Sequence, residues 1–287
     1  MHVPVLLDEV VHWLTPERGG VFVDCTVGLA GHALVLLQHG VQRLVGIDRD
    51  PAALALAREA LQEFGDRVEL VHADYRELAH ILDACGLTKV DGILADLGVS
   101  SLQLDAEGRG FSFRRDEPLD MRMDTSRGQT CADMLATVDE TELADVIYQF
   151  GEERNSRRIA RALVRAREER PLERTGQVAN IVRRASRTKG YWRIDPATRT
   201  FQALRIWVNR ELDGLDAFLE TAAGRLAPGG RLVVITFHSL EDRVVKHTFR
   251  KLETVRVLTR RPIVAGDDEV ARNPRARSAK LRAVERT

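Results

Sequence analysis

The sequence predicts an α/β protein whose parallel sheet is interrupted by a mainly helical insertion. Two observations point there. Over the first hundred residues, short β-branched runs alternate with helical patterns, the signature of βα units around a parallel sheet. After Asp96 that alternation stops, and it returns only past residue 200. The 287 residues suffice for one large or two ordinary domains, at about 150 residues per domain. We place the α/β domain at 1–104 and 206–287 and the insertion at 105–205.

The elements follow in order. Leu6, Val10, Val11 and Leu14 recur at helical spacing and predict a leading helix. Strands are expected at Val21 to Asp24, Leu44 to Asp48, Val68 to His72 and Gly92 to Asp96. A helix from Ala52 to Phe64 follows Pro51, a residue suited to a first helical turn. Residues 97–131, rich in Gly, Asp, Arg and Ser, read as a long loop of the functional kind. From Met134 to Ala185 the pattern is helical and basic. A helix is then expected from Phe201 through Leu226, a turn at Ala227-Pro228-Gly229-Gly230, a strand from Arg231 to Phe237 and a last strand near Leu281 to Val284.

Composition excludes several classes. With 44% apolar and 30% charged residues the chain is ordinary and globular. No apolar run approaches the ~18 residues of a spanning helix, and the N-terminus lacks the pattern of a secretory signal. A cytoplasmic protein without membrane partners is expected. Cys25, Cys85 and Cys131 stand far apart with no CxxC, which fits a reducing compartment and offers no cysteine-based metal site or disulfide framework. No P-loop, GxSxG elbow or deaminase signature occurs, so NTPase, hydrolase and zinc readings lack support.

The zero net charge hides an asymmetry. Residues 1–150 carry 12 Lys and Arg against 26 Asp and Glu, a net of −14, whereas residues 151–287 carry +14. The densest basic stretch, 151–210, holds 16 basic and 6 acidic residues. Such a surplus suits a polyanionic partner.

Candidate chemistry gathers at strand ends. The first strand runs into Asp24-Cys-Thr-Val-Gly28-Leu-Ala30-Gly31-His32, a glycine-bearing turn into a helix that lets backbone amides approach a ligand. Asp48 ends the second strand twenty residues after Gly28, where a carboxylate accepts hydrogen bonds from ribose hydroxyls. The pair suggests an adenosine-bearing cofactor. The incomplete GxGxxG fits a dinucleotide pyrophosphate poorly, whereas Asp24 suits the cationic aminoacyl part of S-adenosyl-L-methionine. His72-Ala-Asp74-Tyr75 offers an aromatic wall and a carboxylate near adenine.

The segments Asp96-Leu-Gly-Val-Ser-Ser-Leu-Gln-Leu-Asp105, Arg109-Gly-Phe-Ser-Phe113, Pro118-Leu-Asp-Met-Arg-Met-Asp124, Thr200-Phe-Gln-Ala-Leu-Arg205, Phe237-His-Ser-Leu-Glu-Asp-Arg243 and Asn273-Pro-Arg-Ala-Arg-Ser278 carry a resemblance. Together they resemble the MraW family of bacterial 16S rRNA cytosine-N4 methyltransferases. The resemblance implies a class I (Rossmann-like) S-adenosylmethionine-dependent methyltransferase sheet. It also implies that the inserted domain recognises RNA, and that the substrate is a cytidine of 16S rRNA near the decoding centre, in the small ribosomal subunit or its assembly intermediate. The family's Gly-Gly-His falls on Ala30, Gly31 and His32, so Ala30 departs from the pattern. Gly28 and these three would hold the methionine part, Asp48 the ribose and Tyr75 the adenine, with Asp96 and Gln103 completing the cofactor site.

Methyl transfer from a sulfonium is largely a matter of positioning. The cytosine N4 lone pair is delocalised, so an acceptor for its protons promotes attack. Asp96 is the expected catalytic residue, in a chain without the Pro-Pro-aromatic turn of other amino methyltransferases. His238, Ser239, Glu241 and Asp242 follow the fifth strand and are further candidates for the same crevice, with His238 near the base. Arg109, Arg114 and Arg115 are expected at phosphates, and Phe111 or Phe113 on a base. Two other readings are a DNA amino methyltransferase, disfavoured by the missing turn, and a non-catalytic nucleic-acid-binding or assembly protein, disfavoured by intact Gly31, Asp48 and Asp96.

Overall fold

A computed structural model describes residues 4–186 and 195–287. It divides into two compact units, Met1–Gly98 with Leu212–Thr287, and Val99–Glu211. The expected insertion, 105–205, is therefore shorter by six residues at each end than the second unit. Local ties explain the C-terminal difference. Asn209 donates to the Met121 carbonyl at 2.7 Å and accepts from the Met123 amide at 2.7 Å, and Arg205 forms an ion pair with Glu211 at 2.9 Å.

The first unit opens with α1 (Leu7–Leu14), β1 (Val21–Asp24), α2 (Gly31–Gln38), β2 (Arg43–Asp48), α3 (Pro51–Ala60), β3 (Val68–His72), α4 (Leu78–Ala84) and β4 (Val90–Asp96). Asp50 caps α3 by accepting from the Ala52 amide, with Pro51 in the first turn. The second unit contributes α5 (Ser101–Asp105), α6 (Cys131–Thr137), α7 (Glu140–Gly151), α8 (Ser156–Glu169), α9 (Thr175–Ser186) and α10 (Ala197–Asn209). The chain then returns through α11 (Leu215–Arg225), β5 (Leu226–Thr236), α12 (Ser239–Lys251), β6 (Val255–Val257), α13 (Asp267–Arg272) and β7 (Lys280–Arg286).

The sheet order is β3-β2-β1-β4-β5-β7-β6. β1 to β5 run parallel, while β7 is antiparallel to both β5 and β6. This is the expected class I, Rossmann-like sheet, with its order reversing outward from β1 to leave a crevice at the carboxyl ends. Alternation sorts the strand residues onto two buried faces. Val23, Val45, Ile93 and Val234 join Leu78, Phe218 and Val245 on one side. Phe22, Leu44, Leu94 and Val233 join Val10, Leu36 and Leu54 on the other.

Three expectations are corrected. The single helix from Phe201 through Leu226 is two, α10 and α11, because Arg210 (φ 51°) and Gly214 (φ 67°) both turn left-handed between them. Edge strand β6, only three residues long, went unforeseen. The Ala227–Gly230 turn instead lies within β5, where pairing passes from Val90 with Leu226 directly to Gly92 with Arg231, an irregularity in the ladder.

The long stretch after Asp96 is folded rather than slack. Leu119, Met121 and Met123 enter the second unit's core beside Ile147, Ile159, Leu163 and Val182. Asp120 holds Arg122 in a two-pronged contact at 2.7 and 2.8 Å. Capping boxes at Ser100 with Gln103 and Thr130 with Asp133 start α5 and α6.

Candidate active site

The sheet order sets β2, β1 and β4 side by side, so their last residues, Asp48, Asp24 and Asp96, line up at one edge of the crevice. The turn after β1 is stitched to both neighbours. The Cys25 amide donates to Leu94 at 2.8 Å and the Val27 amide to Ile47 at 2.9 Å. Gly28 adopts φ 51° and its amide donates to Asp48 Oδ2 at 2.8 Å. Gly31 leaves room for Pro4, whose Cγ would stand 2.5 Å from any Cβ there. Ala30 carries a left-handed φ of 64° as the residue capping α2, with no side-chain acceptor for that helix's first amides. Such amides favour an electron-rich ligand group.

Asp24 is 1% exposed and accepts from the Thr26 amide at 3.1 Å. Burial, aided by the charge of Asp48 and opposed by Thr26, pushes its pKa up to about 7. Asp48 takes amides on both oxygens, Gly28 on one and Asp50 on the other, each at 2.8 Å. Burial still raises its pKa. At Asp96, burial together with Asp24 and Glu241 drives the pKa well above the carboxylate range. Its Oδ1 is sealed from solvent without a hydrogen-bond partner. Three desolvated carboxyl groups at adjacent strand ends make a crevice that favours a cation. S-adenosylmethionine, with its sulfonium and ammonium charges, fits that demand.

The Thr26 hydroxyl was not foreseen as a site residue. It accepts from the Asp96 amide at 2.7 Å, tying the turn after β1 to β4, while the Thr26 backbone amide holds Asp24. A hydroxyl two residues beyond a strand-end aspartate is the signal that would have found it.

The other expected residues stand as follows. His32, 7% exposed, places Nε2 at 2.9 Å from the Val5 carbonyl and Nδ1 at 3.8 Å from Asp96 Oδ2. Tyr75 is 9% exposed within the core, its ring 4.6 Å from that of Phe218. Asp74 is held by Arg76, at 2.8 Å from its Nε, and Arg49 lies 3.7 Å away. Gln103 belongs to the second unit, where its side-chain oxygen accepts from the Ser100 amide at 3.0 Å. His238 caps α12 through Nδ1, which accepts from the Glu241 amide at 3.4 Å. Glu241, 1% exposed, accepts from the Phe237 amide at 3.0 Å. Asp242 is structural, bound to Arg282 at 2.7 Å and Lys280 at 3.3 Å.

Two expectations for nucleic-acid contact are corrected. Arg109 donates to the carbonyls of Arg122 and Met123, at 3.1 and 3.0 Å, so it braces the loop. Phe111 is 8% exposed in the helical core, and Phe113 packs on Phe201 at 4.8 Å. Arg114 and Arg115 are exposed, and a further run of exposed positive charge sits on α8. Ile159, Ala160 and Leu163 face the core, while Arg157, Arg158, Arg161 and Arg165 are exposed on the opposite arc. Arg161 is paired with Glu140 at 3.1 Å. Arg187, Lys189 and Arg193 of the same basic stretch lie outside the described residues.

Comparison with known proteins places the whole chain in one group. The family model described as the MraW methylase family matches residues 1–287. The ribosomal RNA small subunit methyltransferase H of Sorangium cellulosum is 53% identical over 285 residues, covering 99% of this chain and 90% of that protein. Its counterpart from Deinococcus radiodurans is 54% identical over 287 residues, with 99% and 89% covered. That from Geobacter sulfurreducens is 51% identical over 307 residues, with 99% and 98% covered. A solved rRNA methylase from Streptococcus thermophilus aligns over 98% of this chain and 93% of its own at 11% identity, with a TM-score of 0.43, too distant to add to the assignment.

Proposed function

Because this chain belongs to the MraW methylase family, we propose that it transfers a methyl group from S-adenosylmethionine to N4 of a cytidine in 16S rRNA near the decoding centre. The observation that carries the cofactor reading is the row of carboxyl groups at adjacent strand ends, Asp24 buried and Asp48 and Asp96 half-buried, with Asp96 Oδ1 unpartnered among the described residues. The three relatives, each a ribosomal RNA small subunit methyltransferase H, support the substrate class. The cytosine-N4 specificity rests on the motif resemblance from Asp96 onward.

S-adenosylmethionine supplies an activated methyl group on a sulfonium, whose leaving thioether needs no proton. The protein's work is positioning and proton removal. The turn of Gly28, Ala30, Gly31 and His32 would hold the methionine part. Asp48, fixed by two amides, retains lone pairs for the ribose hydroxyls. Tyr75 serves this site chiefly by shaping it, since its ring packs on Phe218. Asp96 accepts a proton from N4. The helical unit engages rRNA phosphates through the exposed arginines of α8, with no membrane partner involved. Among the described residues no helix is long and apolar enough to cross a membrane.

The test is methyl transfer from labelled cofactor to small ribosomal subunits purified from a strain lacking the enzyme, followed by nucleoside analysis. Label in N4-methylcytidine supports the reading. Label elsewhere, or none, rejects it. Asp96→Asn should lower turnover far more than cofactor affinity, and equal losses would make Asp96 a binding residue only.

A further inference from the structure

The second unit carries two surfaces of opposite charge. One is the arginine arc of α8. The other is an open cavity of about 490 Å³ where α7 packs on α10, lined by Asp139, Glu142, Asp145, Val146 and Phe150 from the α7 side and by Trp207 of α10. Residues three and four apart share a helix face, which is why these α7 side chains meet. The Gln202 side chain donates to the Phe150 carbonyl at 3.0 Å and fixes the two helices at that end. Among the described residues no basic side chain lines the cavity.

Its carboxylates are not all engaged by the fold. Asp139 caps α7 through the amides of Thr141 and Glu142, and Glu140, outside the cavity, pairs with Arg161 at 3.1 Å. Glu142 and Asp145, one turn apart and exposed, meet no cation among the described residues. The helix dipole accounts for Glu142 in the first turn but not for Asp145 in the second. Beneath them Val146, buried, and Phe150 and Trp207, half-buried, make an apolar floor. Tyr148, one turn beyond Asp145, is 60% exposed and adds an aromatic ring on the same helix.

Unpaired carboxylates above an apolar, aromatic floor match side chains that join a hydrocarbon stem to a cationic head. Lys and Arg lay such stems along apolar surface, and a guanidinium stacks on an indole face. An RNA backbone meets repulsion at the same place. A ribosomal particle offers an enzyme both chemistries, its RNA and the basic protein segments that neutralise that RNA. We propose that the α7–α10 groove binds a Lys- and Arg-rich protein segment of the particle, so that the enzyme recognises rRNA already assembled with protein. The identity of the particle rests on the rRNA methyltransferase reading, and the nature of the segment on the groove's own chemistry.

The test is the double variant Glu142→Gln with Asp145→Asn, at exposed positions where such changes cost little stability. A hexa-arginine peptide with blocked ends should change the tryptophan emission of the full chain, and Trp207→Phe should remove that change. In the double variant, peptide affinity should fall by about threefold to tenfold, as expected for two exposed ion pairs. Affinity for small ribosomal subunits should fall likewise, while affinity for protein-free 16S rRNA stays level or rises as repulsion is relieved. The sign separates the partners. Unchanged peptide affinity in the double variant, or subunit affinity that is unchanged or raised, would overturn the proposal. So would a wild-type dimer that the double variant dissociates, which would assign the groove to a second copy of this chain. If wild-type protein methylates neither subunits nor rRNA, the methyltransferase reading fails instead, and the peptide titration still decides the groove.

Discussion

Oγ1 of Thr26 accepts a 2.7 Å hydrogen bond from the amide of Asp96, seventy residues away in sequence. The Thr26 amide donates to Asp24 at 3.1 Å, so one residue sets two of the three carboxyl groups that line the crevice. Thr26→Val keeps the volume and the amide contact but removes the hydroxyl that accepts from Asp96. A buried amide left without its acceptor costs about 1–3 kcal/mol, and urea unfolding should show a loss of that size, largely restored in Thr26→Ser. Full stability in the valine variant would mean that water replaces the hydroxyl.

Asp48 carries two kinds of work, organising the turn through the amides of Gly28 and Asp50 and facing the ribose. Asp48→Ala should weaken cofactor binding by about 1.5–3 kcal/mol, the range for hydrogen bonds to a charged group. Unfolding should also come earlier, because both amides lose their acceptor. Unaltered affinity on titration would remove Asp48 from the cofactor site.

Ala30 takes a conformation that usually belongs to glycine, at φ 64°. The left-handed backbone costs an L residue roughly 1–2 kcal/mol. Against that, Ala30→Gly would remove a buried methyl worth about 0.8 kcal/mol and free the unfolded chain by about 0.4–1 kcal/mol. The terms nearly cancel, so Ala30→Gly should be close to neutral in stability. Ala30→Val should lose about 2 kcal/mol or more, since a β-branched side chain is an outlier at positive φ. A clear gain for glycine would show that the methyl adds nothing to packing.

Cofactor binding should depend on pH through Asp24. Its folded pKa, about 7, lies above the ordinary 3.8, so the free protein holds an extra proton between those values. The free protein therefore loses stability as pH rises from about 4 to 7. A cationic ligand favours the ionised carboxylate, so its binding releases a proton below pH 7 and tightens as pH rises through it. Calorimetry in buffers of different ionisation enthalpy should detect the released proton at pH 6.5. Asp24→Asn should reduce the release and weaken binding, and an unchanged proton count would exclude Asp24 as a source.

The exposed arc of α8 links charge to substrate. Reversing Arg157, Arg158 and Arg165 should weaken binding to ribosomal subunits and flatten its salt dependence by ~0.7–0.9 in log–log slope per lost phosphate contact. Arg161 should matter less, because Glu140 already pairs with it. Cofactor affinity should remain intact. A triple variant with unaltered subunit affinity would make this arc a solvated face.

Local patterning alone was enough to place six of the seven strands, though not β6 or the start of β5. The runs Val21–Asp24 and Val68–His72 coincide with β1 and β3, because β-branched period-two segments bounded by turn residues have few other ways to bury themselves. The strand-end positions of Asp24, Asp48 and Asp96 follow from the same reading, as does the amphipathic pattern of α8. The sequence could not show the break between α10 and α11, where Asn209 is claimed by Met121 and Met123 from a distant loop. Nor could it show that Arg109 would brace a loop, that Tyr75 would pack on Phe218, or that Thr26 would reach Asp96. Each of these depends on partners far apart in the chain, whose spacing only tertiary packing sets. The proton-holding tendency of the crevice has the same origin. A carboxylate is ordinary in sequence, and it becomes a buried acid only when adjacent strands bring three together away from water.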